Sequence, residues 1–166
     1  MVPPPPCPLD GIRLLVVNPN STEAVTERLG RTAVSAAAPA TRVETVSAGS
    51  GIAVIETPEQ SRVAGDAVVR LLVSRTSDFD AAIIAAYSDP GLQEARASVS
   101  QPVVGIAEAS IQEAVALGGR FVVLMPDGPL IDYVRQLAKA AGAATQLAAV
   151  RGFEAPLSIV AADPMR

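Results

Sequence analysis

The sequence predicts an α/β protein built on a parallel sheet. Short Val/Ile-rich runs alternate with stretches of helical spacing, the signature of repeated strand–helix units. Hydrophobic residues make up 49% of the chain and aromatic residues only 3%. The core must therefore be built from Ala, Val, Ile and Leu, which suits helices packed closely on a sheet. Several apolar runs also stop abruptly in Asn, Pro, Ser, Asp or Gly just before a helical pattern begins, as strand-to-helix loops do.

The first strand is expected at Ile12–Val17, ending in Asn18-Pro19-Asn20-Ser21, with a helix to about Ala38 that presents Val25, Leu29 and Ala33 on one face. A second strand, Arg42 to Val46, runs into the Gly/Ser-rich stretch Ser47 to Gly51, which reads as a mobile loop over the strand ends or as a linker. The next helix has the clearest start in the chain. Thr57 can cap it, Pro58 suits its first turn, and Gln60 completes a Thr-x-x-Gln capping box. Ala64, Ala67, Val68, Leu71 and Leu72 then follow helical spacing.

The third strand, Asp80 to Ala86, stops in Tyr87-Ser88-Asp89-Pro90-Gly91; Ser88 or Asp89 is placed to cap the helix after it. A fourth strand, Pro102 to Ile106, feeds a helix from about Ala107 to Leu117. A fifth, Arg120 to Met125, feeds a helix from about Pro129 to Ala141 with Ile131, Val134, Leu137 and Ala138 on one face. A weaker strand is expected at Thr145 to Val150. Beyond Arg151 the pattern fades, and Ser158-Ile159-Val160 has no helix to follow it.

Bulk composition excludes several function classes. The chain has 166 residues, 18% of them charged, and a formal net charge of -4, with basic residues scattered rather than clustered. Nucleic-acid binding, which rests on clustered Lys and Arg, is not expected. Histidine is absent and Cys7 is the only cysteine. The commonest general base is therefore missing, and neither an internal disulfide nor a Cys-x-x-Cys metal site can form. No apolar run reaches the ~18 residues of a membrane span, and the N-terminus lacks the basic and apolar regions of a signal peptide. A cytoplasmic protein with no membrane partner is the expectation.

Parallel α/β sheets hold ligands at the carboxyl ends of their strands. Three such ends carry suitable groups. At Asn18-Pro19-Asn20-Ser21-Thr22, amides, hydroxyls and the free N–H groups of a helix start could hold a carboxylate; plain capping by Asn20 or Ser21 explains the same residues. At Tyr87-Ser88-Asp89-Pro90-Gly91, Asp89 is either a general base or a cap. At Gly105-Ile106-Ala107-Glu108-Ala109, the helix dipole alone accounts for Glu108. A dinucleotide glycine pattern and a GxxxxGK[ST] loop are both missing, so no nucleotide cofactor is expected.

Taken together, LLVVNPNSTEAVTERL, IIAAYSDPGLQEAR, PVVGIAEAS and GGRFVVL resemble the aspartate/glutamate/hydantoin racemase family, in particular its hydantoin and allantoin racemase branch. The resemblance runs from about Ile12 to at least Val150. It implies two α/β lobes with substrate in the cleft between them, and cofactor-independent racemisation by two cysteines on opposite faces of the substrate carbon. One thiolate takes the proton and the other thiol returns one to the opposite face, since a single group cannot reach both. Donors at helix starts would stabilise the enolate-like charge.

By this resemblance Asn18, Ser21, Ser88 and Asp89 match substrate-binding positions or flank the first catalytic one. Ala86 occupies that catalytic position, where the family has cysteine. Met125-Pro126-Asp127 stands where relatives commonly carry a Thr-Thr pair, and the Gly-Cys-rich segment with the second cysteine does not occur before Arg166. Single-cysteine relatives keep that later cysteine. The expected organisation is a Pro-rich tail at 1–10, a flavodoxin-like first lobe at 11–100, and a partial second lobe of the racemase type at 101–166. The expected function is a racemase-family protein that binds a small carboxylate or hydantoin-like ligand without two-base catalysis. The alternatives are a non-catalytic interaction module, in which apolar surface on the Val103 and Phe121 strands is buried in a homo-oligomer or other partner, and a fragment of a longer racemase.

Overall fold

The computed structural model describes residues 11–154. The Pro-rich tail with Cys7, and the Ser158-Ile159-Val160 stretch, lie outside the described residues. Eleven elements follow in alternation: β1 (Arg13–Asn18), α1 (Glu23–Ala36), β2 (Arg42–Ser47), α2 (Pro58–Ser74), β3 (Ala81–Ile84), α3 (Leu92–Ser98), β4 (Val103–Gly105), α4 (Ile106–Ala116), β5 (Phe121–Pro126), α5 (Leu130–Ala140) and β6 (Leu147–Phe153).

The strands form two parallel sheets. One has the order β2-β1-β3-β4 and the other pairs β5 with β6. The first order is that of a flavodoxin-like sheet. β4 starts just after Gln101 and pairs with β3, so the change of sheet falls between β4 and β5. β1 is central, and Leu15, Val16 and Val17 are buried in succession, as a strand covered on both faces requires.

The main core gathers Leu15, Val17, Ala82, Ile84 and Val103 from the sheet, Val68 and Leu72 from α2, Leu92 and Ala95 from α3, and Phe79. A second cluster joins Val123, Met125 and Val150 to Val134 of α5, with Tyr87 packed against it. Tyr87 follows β3, so its ring links the two sheets, and its hydroxyl accepts from Ser110 of α4 at 3.1 Å. A third cluster joins Ile111 of α4 to Ala138 and Ala143.

The α2 start forms as its sequence dictates. Thr57 Oγ1 accepts from the Gln60 amide at 3.2 Å, and Gln60 Oε1 accepts from the Thr57 amide at 3.1 Å. Two other capping expectations fail. α1 begins at Glu23 with Thr22 as its cap residue, and neither Asn20 nor Ser21 caps it. α3 is preceded by Gly91 in the left-handed region (φ 75), not capped by the Ser88 or Asp89 side chain. Both side chains are drawn away by tertiary partners. The third strand is also shorter than expected, Ala81–Ile84, because the chain already bends away at Ala86.

Candidate functional site

The β1 and β3 ends lie side by side, with the Ala85 amide donating to Val17 O at 2.8 Å. Beyond them the chain turns at Asp89, whose φ of 42 lies in the left-handed region that aspartate tolerates better than most residues. The turn is gripped from two sides. Against α2, Gly91 and Gly65 meet so closely that a Cβ on Gly65 would come within 2.7 Å of the Gly91 nitrogen. Against α4, the Asp89 carboxylate accepts from the Ala107 amide at 2.9 Å and the Glu108 amide at 2.7 Å.

Asp89 therefore caps a helix, but it caps α4 across the sheet rather than the helix that follows it in sequence. Its side chain is 3% exposed. Burial pushes its carboxyl above the usual range, and the two amides oppose that push. Gly105 must be glycine for this reason alone: a Cβ there would lie 2.2 Å from Asp89 Cγ. Glu108, in the first turn of α4, is paired with Arg96 at 2.6 Å. Asp89 and Glu108 line a cavity of 350 Å³ with Glu94 and Tyr133, and burial followed by the charges of Asp89 and Glu94 raises the Tyr133 phenol.

A cleft of 420 Å³ opens on the other side of the turn, between the carboxyl ends of β3 and β5. Ala86, Tyr87 and Ser88 form one wall, Ile55, Glu56 and Thr57 a second, and the 125–130 segment the third. Ser88 is buried, and its Oγ is hydrogen-bonded to Ser61 Oγ of α2 at 3.0 Å. α5 begins in this third wall without a side-chain cap, and its Ile131 amide donates to Gly128 O at 3.2 Å. Glu56 and Asp127 are the carboxylates of the lining, and no Lys or Arg joins them. Among the described residues no group of three or more His, Cys, Asp or Glu is arranged to hold a metal.

Of the residues singled out in the sequence, Ala86 and Ser88 share this cleft, whereas Asp89 faces away from it. Asn18 and Ser21 are not part of its lining. Asn18 is fully buried and spent on its own loop: its amide donates to Thr26 Oγ1 at 2.9 Å and Asn20 Oδ1 at 3.0 Å, and its Oδ1 accepts from the Asn20 amide at 3.1 Å. Ser21 is exposed, and its amide donates to Ile52 O. The Ser47–Gly51 loop is strapped over the β1 end, with Ser47 Oγ donating to Asn20 O and Ser50 Oγ to Pro19 O, both at 2.8 Å.

The Asp/Glu/hydantoin racemase family profile matches residues 14–165. The chain belongs to that family. It is 30% identical over 142 residues to a hydantoin racemase from Paenarthrobacter aurescens, a match covering 84% of this chain and 60% of the relative. It is 37% identical over 114 residues to one from Pseudomonas sp. (strain NS671), covering 68% and 46% respectively. An allantoin racemase structure from Klebsiella pneumoniae superposes with a TM-score of 0.85 at 30% identity, covering 90% of this chain and 62% of that one. One from Pseudomonas fluorescens superposes with a TM-score of 0.86 at 28% identity, covering 93% and 66%. The chain thus spans roughly half to two thirds of the length of these relatives.

The sequence alone missed Ser61 and the Ile55–Thr57 wall. Ser61 is the one hydroxyl among the buried α2 residues Ala64, Gly65, Ala67, Val68 and Leu72. A polar side chain on the apolar face of a helix was the signal that could have found it.

Proposed function

We propose that the cleft between the β3 and β5 ends receives a small hydantoin-like or carboxylate ligand, and that this chain does not invert it by the two-thiol route of its family. The observation that carries this reading is the position of Ala86. It lines the cleft beside Ser88 and Thr57, where a proton-transfer group would have to stand, and a methyl group neither accepts nor returns a proton.

Volume and chemistry both support a small ligand. The 420 Å³ cleft falls in the size range of small-molecule sites, about 300–1,000 Å³. The α5 start, which has no side-chain cap, sets the positive end of a helix dipole at the cleft wall. Glu56 and Asp127 at the rim oppose a second full negative charge, with no lining cation to offset them. A neutral ring carrying both carbonyl and N–H groups fits this lining better than a dicarboxylate does. The relatives named hydantoin racemase and allantoin racemase are consistent with that ligand class.

Binding is tested by titrating the purified protein with 5-methylhydantoin or allantoin and following backbone amide shifts by NMR. Saturable shifts confined to residues 55–57, 86–88 and 125–130 support the reading; their absence at millimolar ligand overturns it. A second reading, an interaction module, rests on Val122 and Leu124, which alternate onto one face of β5 and are 49% and 70% exposed. On β4, Val103 is buried but Val104 is 41% exposed, so both strands carry exposed apolar residues. Concentration-dependent dimerisation in light scattering would favour that reading, and a strict monomer would count against it.

A further inference from the structure

We propose that Ser61 is a positioning residue for the cleft, orienting the Ser88 hydroxyl as a donor toward a carbonyl or carboxylate oxygen of the ligand. This inference rests on the functional reading above. Both hydroxyls are almost fully buried, Ser61 at 4% and Ser88 at 3% exposure. Ser61 lies on α2 outside the cleft lining, while Ser88 lies in it.

The two hydroxyl oxygens lie 3.0 Å apart, and we take Ser61 as the donor of the bond between them. A serine hydroxyl has one proton to give and accepts through its lone pairs. With Ser61 donating, Ser88 is the acceptor, and its own proton has no other hydrogen-bond partner among the described residues. That proton is the group it offers to a ligand. Receiving a bond from Ser61 also polarises the Ser88 O–H and strengthens it as a donor.

The placement of Ser61 argues against a merely local role. A serine inside a helix ordinarily points to solvent or bonds back to the carbonyl one turn earlier. Ser61 instead reaches across to the turn after β3, from a helix face otherwise made of Ala, Gly, Val and Leu. The turn is held in register for this contact by the Gly65–Gly91 approach and by the Asp89 cap on α4. On this reading the ligand atom seated against the Ser88 proton is an acceptor.

The test is a double-mutant cycle on ligand affinity. The dissociation constant for 5-methylhydantoin is measured by NMR titration for the wild type, Ser61→Ala, Ser88→Ala and the double variant, each confirmed folded by circular dichroism. Ser88→Ala is expected to weaken binding about five-fold, the ordinary worth of one hydrogen bond. Ser61→Ala should weaken it by a similar or smaller factor, and the double variant should bind no worse than Ser88→Ala alone. A merely structural Ser61 would give losses that multiply, and that result overturns the proposal. So does wild-type affinity in Ser88→Ala. A wild type that fails to bind overturns the functional reading itself, which separates the two failures.

Discussion

Replacing Gly105 by alanine tests the grip that shapes the turn after β3. Gly105 has φ −96 and ψ 139, ordinary extended values that alanine adopts without strain. Any cost must therefore come from space. The added Cβ would stand 2.2 Å from Asp89 Cγ and 2.5 Å from both carboxylate oxygens, so the carboxylate has to move by more than 1 Å to restore a contact near ~3.5 Å. The bonds to the Ala107 and Glu108 amides, at 2.9 and 2.7 Å, cannot survive that displacement. Each is a hydrogen bond to a charged group worth about 1.5–3 kcal/mol, giving an expected loss of about 3–6 kcal/mol for the two. Urea unfolding followed by circular dichroism measures it. The decisive control is Gly105→Ala made on Asp89→Ala, where the obstructing carboxylate is gone and the glycine substitution should cost less than about 1 kcal/mol. A cost that is equally large in both backgrounds, or below about 1 kcal/mol in the wild type, would refute the steric account.

Asp89 also predicts a pH dependence of definite sign. Its folded-state carboxyl is raised by burial, so its contribution to stability is complete below the unfolded-state pKa and is lost as pH rises through the folded value. The exposed Asp78 and Asp80, lowered chiefly by their hydrogen bonds with Arg75 and Arg13, act in the opposite sense, losing their contribution as pH falls. Comparing wild type with Asp89→Asn by urea unfolding between pH 7 and pH 4 isolates the first effect: the stability gap between them should change across this range, and a constant gap would contradict a shifted carboxyl. Position 86 predicts an accessible but protectable thiol. In a Cys7→Ser background, Ala86→Cys should react with iodoacetamide, and saturating 5-methylhydantoin should slow the reaction several-fold; equal rates with and without ligand would place residue 86 outside the occupied site.

Much of this fold was legible from local chemistry, and the parts that were not share a cause. The Thr57–Gln60 capping box forms as read because both of its bonds lie within four residues. The alternation of strands and helices, and the identity of the loop after β3, were likewise local. Asp89 was read as a cap for the wrong helix because its true partners are the Ala107 and Glu108 amides, nearly twenty residues on. Asn18 looked like a ligand group, yet its side chain is consumed by Asn20 and Thr26. In both cases a polar side chain chose a tertiary or loop partner that no spacing rule encodes. Gly105 and Gly65 carry the same lesson, since their need to be glycine comes from Asp89 and Gly91 rather than from their own backbone angles.

The central claim is that the cleft keeps the family's architecture while Ala86 removes its proton-transfer group. The most direct test follows the C5 proton of 5-methylhydantoin by NMR in deuterium oxide, with and without the protein, at ligand concentrations shown to saturate the amide shifts. The account predicts occupied cleft and an exchange rate equal to that of buffer alone. Protein-dependent exchange that titrates with binding would contradict it.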